Sequence, residues 1–189
     1  MTLVQDIQNA VAALRKGGVI LYPTDTVWGI GCDATDSVAV RRVFEIKHRA
    51  DSKALITLVA DVDEIGRHTA VAPARAQEII SETDRPTTVV YPGGRGLAPE
   101  LLADDGSVGM RVTTEKVSAE LCRAFDRPLV STSANISGEP APAIFAEITP
   151  EILRTVDYVM TSRRDDCSRA LPSRIIKINN DGSVTVIRP

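Results

Sequence analysis

Residues 21–53 carry side chains of the kinds that bind anionic ligands. Thr24, Asp25 and Thr26 follow a proline, and two glycines come soon after them. A basic cluster lies further along, where five lysines and arginines outnumber two acidic residues: Arg41, Arg42, Lys47, Arg49 and Lys53. Hydroxyls, N–H groups near glycines and cations together are suited to phosphate. The stretch therefore predicts a site for a phosphorylated substrate.

Residues 131–135, with the sequence STSAN, offer a second set of hydroxyls. The segment follows a predicted strand directly, and ligands of α/β proteins favour the carboxyl ends of strands. Taken alone, these residues fit a local capping turn better, because Ser, Thr and Asn bond readily to nearby backbone. The basic cluster is also weak alone, since helix ends attract cations and most charge runs lie on solvated faces.

Residues 29–34 match the GxGxxA spacing of a dinucleotide-binding turn. The context is wrong, because the preceding predicted strand ends near Tyr22, about seven residues too early for that turn. The position some twenty residues further on is basic rather than acidic. We therefore reject a dinucleotide site.

The hydroxyls of residues 131–133 could also suggest a nucleophilic serine. No GxSxG elbow surrounds them, and the two histidines, His48 and His68, have no recognisable triad setting. We interpret these hydroxyls as ligands of oxyanions.

Length and composition predict one domain over residues 1–189. With 43% hydrophobic residues, the chain can bury one substantial core. Its net charge of −3 argues against a protein that coats nucleic acid, although a local basic cluster can still create a cationic field.

The three cysteines are widely spaced, which predicts neither a disulfide framework nor a zinc site. No apolar run reaches about 18 residues, so we expect a cytoplasmic protein without a membrane segment.

The hydrophobic pattern alternates between helices and strands. Helices are predicted over 7–14, 37–47, 73–82 and 115–125. Strands are predicted over 19–22, 54–59, 87–91, 108–112, 128–131, 156–160, 174–178 and 184–188, the last two joined by a hairpin turn. This order predicts an α/β fold with a mixed sheet flanked by helices. The polar segment 161–171 is expected to be the most mobile.

Taken in order, the motifs resemble those of one known family. The segments PTDTVWGIGCDA, KHRADSKAL, SVGMRV, STSANISGEP, PSRI and the terminal VIRP are similar to those of the YrdC-like threonylcarbamoyl-AMP synthases of tRNA modification. The similarity spans nearly the whole chain, and the length resembles that of the minimal single-domain members. The resemblance implies an open, twisted α/β sheet flanked by helices, with a basic concave cavity.

The resemblance also implies an activity. Members of the family condense L-threonine, bicarbonate and ATP to threonylcarbamoyl-AMP and pyrophosphate, and Mg²⁺ is expected with the nucleotide. Partner proteins then transfer the threonylcarbamoyl group to adenosine 37 of tRNA. Double-stranded RNA or tRNA is a further implied partner.

Site residues follow from the resemblance by matching positions. L-Threonine binding is implied for Thr26, Arg111, Ser131 and Ser173. ATP binding is implied for Arg49, Lys53, Ser107, Ser133, Asn135 and Arg188. Lys47 and Arg49 are implied as catalytic residues, and no residue is assigned to a metal.

The chain departs from the family pattern at Ala54, Ala141, Arg174 and Lys177, and in the segment 83–86, where TDRP replaces WPGP. Ala141 removes a hydroxyl expected near the nucleotide, and Arg174 introduces a long cation near the predicted threonine site. These departures leave a second function open. It is a YrdC-like paralogue that binds double-stranded RNA, tRNA or nucleotide without synthase activity.

Overall fold

The computed structural model describes residues 1–48, 55–179 and 181–189. The helices of this part of the chain are α1 (Leu3–Leu14), α2 (Ser37–Ile46), α3 (Asp63–His68), α4 (Pro73–Ser81), α5 (Lys116–Phe125) and α6 (Pro150–Thr155). The strands are β1 (Ile20–Tyr22), β2 (Gly29–Gly31), β3 (Ile56–Val59), β4 (Thr87–Tyr91), β5 (Val108–Val112), β6 (Leu129–Ser133), β7 (Tyr158–Val159), β8 (Arg174–Ile178) and β9 (Val184–Arg188). Two short 3₁₀ helices cover Pro99–Leu101 and Phe145–Glu147.

The strands form a mixed sheet in the order β7-β1-β2-β6-β3-β5-β4-β8-β9. Three pairs are parallel, namely β1 with β7, β3 with β5 and β4 with β8. The remaining neighbours run antiparallel. The sequence prediction of a mixed sheet flanked by helices is therefore confirmed.

Helices cover both faces of the first part of the sheet, and β1 shows why. Ile20 and Tyr22 pack with residues of α1 and α5, whereas Leu21 packs in a second cluster with residues of α2. Successive side chains of a strand point to opposite faces. An unbroken apolar strand is therefore buried on both sides, as its sequence indicates.

Local signals set the ends of the first two helices. Thr2 caps α1 in a capping box with Gln5, and Gly17 after the helix has a positive φ of 75°. Asp36 caps α2 by accepting hydrogen bonds from Val38 N and Ala39 N.

The sequence pattern misses three elements, α3, α6 and β2. The two helices have six residues each, which is too short for a clear helical period. Strand β2 is the more important omission, because two of its three residues are glycines, which are uncommon in strands. A Cβ atom on Gly31 would lie 2.5 Å from Val130 O and 2.6 Å from the Tyr22 ring. Gly31 is therefore required by close strand packing, which agrees with the rejection of a dinucleotide-binding turn.

The end of β6 also differs from the prediction, in which the strand stops at residue 131 and the hydroxyls that follow it lie in a turn. Strand β6 continues through Ser133, so these hydroxyls lie on the sheet itself. The turn begins only at Ala134. No helix in the described ranges is both long and apolar enough to cross a membrane.

Candidate functional site

One face of the sheet forms the floor of a cavity of about 410 Å³, called the central cavity below. Its volume lies within the usual range of ligand pockets, about 300–1,000 Å³. Seven residues that the sequence assigned to substrates line it: Thr26, Arg111, Ser131, Ser133, Asn135, Ser173 and Arg188. They are spread over most of the chain, so the sheet brings them together.

Strand pairing explains why distant residues share this face. Ser131 of β6 is paired with Ile56 of β3, and Ile175 of β8 is paired with Arg188 of β9. Paired residues on adjacent strands project to the same side of the sheet. All four of these side chains line the central cavity.

Arg111 is held by the loop that precedes β2. Its Nη2 lies 2.9 Å from Asp25 Oδ1 and 3.3 Å from Thr26 Oγ1. The Arg111 side chain is only 3% exposed, and that of Asp25 is 11% exposed. Burial raises the pKa of the Asp25 carboxyl above its usual value, and the Arg111 charge offsets part of this effect. The result is a buried guanidinium facing the cavity, as a carboxylate ligand requires.

Lys47 lies behind the segment that follows β6. Its Nζ donates hydrogen bonds to the backbone oxygens of Ser133 at 2.6 Å and Asn135 at 2.7 Å. The Asn135 side-chain amide donates to the backbone oxygens of Ile136 and Glu139. Lys47 therefore shapes one wall of the central cavity by fixing the backbone of that wall.

Ser173 and Arg188 form the opposite wall. Arg188 donates from Nε and Nη2 to Ser173 O, at 2.9 and 2.6 Å. Ser173 Oγ lies 2.8 Å from Thr88 Oγ1. Burial and the nearby Arg111 charge lower the pKa of Arg188 below its usual value. In the described ranges Arg188 has no acidic partner, so its charge is available to an anion.

Known proteins resemble this chain over most of its length. A family model described as "Telomere recombination", the Sua5/YciO/YrdC domain, matches residues 12–189. A protein named threonylcarbamoyl-AMP synthase from Stenotrophomonas maltophilia is 35% identical over 89% of this chain and 92% of its own length. A protein of the same name from Xanthomonas oryzae pv. oryzae is 39% identical over 85% of this chain and 87% of its own.

The chain belongs to the Sua5/YciO/YrdC family. Solved structures of the family share the fold. Escherichia coli YciO has a TM-score of 0.82 and 26% identity, over 99% of this chain and 89% of that chain. Pyrococcus abyssi Sua5, solved in complex with L-threonine, has a TM-score of 0.84 and 24% identity over 97% of this chain. The match covers 53% of that longer Sua5 chain.

Not every family position that the sequence assigned lies at the central cavity. Ser107 is outside the lining residues, and both its backbone N and its Oγ donate to Asp105 Oδ1. Arg49 and Lys53 lie outside the described residues, as does Ala54. Their assignments stay predictions.

The departures from the family pattern fall in different places. Ala141 lines the central cavity, which agrees with its expected position near a ligand. Arg174 does not line it, although Ser173 and Ile175 on either side do. Because side chains alternate along a strand, Arg174 projects to the other face. Lys177 is paired with Asp105 at 2.6 Å.

Sequence reasoning gave no role to Asp25, although it stands between the two threonines of the PTDT motif. It also missed the contacts of the segment 161–171 with this loop and with α1. Arg163 Nη1 donates to Thr24 O at 2.9 Å, and Asp6 accepts hydrogen bonds from Thr161 N and Ser162 N. No sequence spacing links these residues, which are more than a hundred positions apart.

The donor set of the central cavity bears on the metal expected with the nucleotide. Glu139 is the one carboxylate side chain that lines it in the described part of the chain. In the same part, no group of three or more His, Cys, Asp or Glu is placed to hold a metal ion. Mg²⁺ commonly binds through substrate phosphates and one or two carboxylates. These residues fit a metal that enters with the nucleotide.

Proposed function

We propose that this protein is an L-threonylcarbamoyladenylate synthase, which condenses L-threonine, bicarbonate and ATP to threonylcarbamoyl-AMP and pyrophosphate. The observation that carries the proposal is the convergence of two kinds of binding group on one cavity. A buried arginine stands among hydroxyls, and a second arginine stands nearby without an acidic partner in the described ranges. The curated relatives with 35–39% identity bear the name of this enzyme.

The amino-acid half of the site is proposed to centre on Arg111. Its guanidinium receives the carboxylate of L-threonine, because a planar cation held on a strand suits a carboxylate. Thr26 contacts the same guanidinium and offers a hydroxyl to the ligand. Ser131 and Ser173, both buried hydroxyls on the cavity, complete the set.

The nucleotide half is proposed to centre on Arg188 and on the wall formed by Ser133 and Asn135. Arg188 is oriented by its two hydrogen bonds to Ser173 O, and its side chain lines the cavity. Arg49 and Lys53 belong to this half by their match to the family motif, and Ser107 is proposed as a further contact. Mg²⁺ enters as part of the magnesium–ATP substrate.

Lys47 is proposed to act by positioning. Its ammonium already donates to two backbone oxygens of the wall, and the side chain is buried. It therefore holds Ser133 and Asn135 where they meet the nucleotide. Arg49 remains the proposed residue for direct stabilisation of the reacting phosphate.

In the proposed reaction, the amine of threonine attacks the carbon of bicarbonate, and loss of water gives a carbamate. A carbamate oxygen then attacks the α-phosphorus of ATP in line, and pyrophosphate leaves. Such transfers depend mainly on orientation and on stabilisation of charge, so no covalent enzyme intermediate is needed. The hydroxyls and cations of the central cavity supply both.

The product is proposed to serve tRNA modification in the cytoplasm. Threonylcarbamoyl-AMP is a mixed anhydride, which reacts readily with nucleophiles. A partner complex would therefore take it up and transfer the threonylcarbamoyl group to adenosine 37 of tRNA. Direct binding of tRNA or double-stranded RNA to this chain is a separate proposal.

The test is pyrophosphate release with ATP, bicarbonate and L-threonine, each omitted in turn, together with mass detection of the adenylate. We expect release only when all three are present. Arg49→Ala should abolish it, and Arg188→Ala should raise the KM for ATP about tenfold, as the loss of a charge-assisted contact predicts. Arg174→Ala is the matched control, because its side chain lies on the other face of the sheet.

Release that does not depend on threonine would overturn the proposed function. In that case, tight binding of a tRNA-like duplex with a steep salt dependence would favour the RNA-binding paralogue.

A further inference from the structure

Asp25 is a charged residue beside the central cavity to which the proposed reaction gives no role. The turn around it is well defined, because Thr26 N donates to Thr24 Oγ1 at 3.0 Å and Thr24 Oγ1 donates to Val27 O at 2.8 Å. This turn holds the Asp25 carboxylate against Arg111, with 2.9 Å between Oδ1 and Nη2.

The two side chains depend on each other for charge compensation. Both are buried, and an uncompensated buried charge is strongly unfavourable. Glu115 also lies near Asp25, but its Oε1 is 3.3 Å from Arg163 Nη1, so it has a cation of its own. Asp25 and Arg111 thus form a pair with a net charge of zero.

The pair is incomplete as a set of hydrogen bonds. Asp25 Oδ1 and Arg111 Nε are both buried, and neither has a hydrogen-bond partner in the described part of the chain. The 2.9 Å approach of Nη2 to Oδ1 is therefore an ion-pair contact without hydrogen-bond geometry. Buried polar atoms are nearly always hydrogen-bonded, so this pair is held by charge rather than by a complete set of hydrogen bonds. Arg111 lines the central cavity and Asp25 lies behind it, so Asp25 acts on a ligand through its charge and not by direct contact.

We propose that Asp25 makes the site specific for a zwitterionic amino acid by balancing the charge of Arg111. This inference rests on the proposed function, in which Arg111 receives the carboxylate of the ligand. A ligand that carries both a carboxylate and an ammonium matches a neutral pair of opposite charges. A carboxylate without the amine brings a negative charge close to Asp25 with no positive charge of its own to offset the repulsion, which is strong in a buried site.

The experiment compares two ligands by calorimetry. They are L-threonine and 3-hydroxybutanoate, which is threonine without its amino group. In the wild type we expect threonine to bind at least about tenfold more tightly, as a buried charge pair predicts. In Asp25→Asn the preference should fall to about threefold or less, whereas Asp25→Glu, which restores the charge, should retain it. Arg188 is the same in every variant, so its charge cancels in the comparison.

Controls separate charge from structure. Asp84→Asn, at an exposed aspartate, should leave the preference unchanged. Thermal unfolding followed by circular dichroism checks that each variant is folded, and Asp25→Ser is a second neutral variant. A purely structural role for Asp25 would weaken both ligands equally, so an unchanged preference in a folded neutral variant overturns the inference.

The outcomes also separate this inference from the proposed function. If the wild type prefers threonine as expected but releases no pyrophosphate, the proposed function fails and the role of Asp25 stands. If pyrophosphate is released but the neutral variants keep the preference, only the role of Asp25 fails. If neither neutral variant folds, the wild type and Asp25→Glu decide, and equal binding of the two ligands by the wild type overturns the inference. A wild type that binds no threonine overturns both.

Discussion

Lys47 and Ser133 are 86 positions apart in the chain, and a hydrogen bond of 2.6 Å joins the lysine Nζ to the serine backbone oxygen. The same ammonium donates to Asn135 O at 2.7 Å. Lys47 stands at the C-terminal end of α2 and is only 2% exposed. Two hydrogen bonds therefore connect the C-terminal end of α2 to the backbone at the end of β6 and just after it. The backbone of the STSAN segment, residues 131–135, is held in place by Lys47, which belongs to a different motif.

Lys47→Met tests this dependence. The substitution keeps the apolar stem but leaves two backbone oxygens without their donor, so the free energy of unfolding should fall by about 2–3 kcal/mol. The affinity for ATP should fall with it, because Ser133 and Asn135 lose their support. Urea unfolding measures the first effect and calorimetry the second.

The matched control is Lys16→Met, at an exposed lysine just after α1, where little change in stability is expected. If Lys47→Met unfolds at the same urea concentration as the wild type, the hydrogen bonds from Lys47 Nζ do not stabilise this wall of the cavity, and the proposal is refuted.

Gly31→Ala tests the close packing of β2. The new Cβ would lie 2.5 Å from Val130 O, a backbone atom that cannot move alone, and 2.6 Å from the Tyr22 ring. Overpacking of this kind costs about 1–3 kcal/mol, so thermal unfolding should occur several degrees lower.

Gly109→Ala is the comparison, because Gly109 is also a strand glycine. Its added Cβ would meet nothing nearer than the Ile56 methyl at 3.4 Å. A smaller loss of stability is expected there, and equal losses at Gly31 and Gly109 would argue against a specific clash.

Asp6 gives a prediction for the dependence of stability on pH. Its side chain is 1% exposed. Burial by itself would raise its pKa, but hydrogen bonds from Ser162, Thr161 and Tyr158 outweigh burial and lower the pKa below its usual value of 3.8. A carboxyl whose pKa is lower in the folded state stabilises the fold above its unfolded pKa. This contribution is lost as the pH falls through the folded pKa.

Asp6→Asn should therefore lower the free energy of unfolding at neutral pH by about 1–3 kcal/mol, since charge-assisted hydrogen bonds are lost. The difference from the wild type should persist down to about pH 4 and shrink below it. Urea unfolding at a series of pH values measures it. Asp104→Asn, at an exposed aspartate, should show no such difference, and a gap for Asp6→Asn that widens in acid would contradict the assignment.

The sequence predicts most of the sheet because its longer strands carry their own signal. β4, β5, β8 and β9 have the bounds that the pattern predicts, since each is an apolar or β-branched run between turn residues. β2 could not be predicted in this way. It has three residues, two of them glycines, and its glycines are explained by Val130 and Tyr22, which the local pattern does not contain.

The same distinction applies to the site. The family motifs identify Arg111, Ser131 and Ser173 one at a time, and the structure places them around one cavity. The partners of these residues were beyond sequence reasoning. Asp25 beside Arg111 and Thr88 beside Ser173 are contacts between residues about 85 positions apart.

By itself, the sequence determined the family, the kinds of binding group and the longer elements, because motifs and hydrophobic periods are local properties of a chain. Only the tertiary structure decided which charges are buried together, which cation supports which backbone and which glycines are required. Those properties depend on distances between residues far apart in the sequence, and packing of the sheet sets those distances.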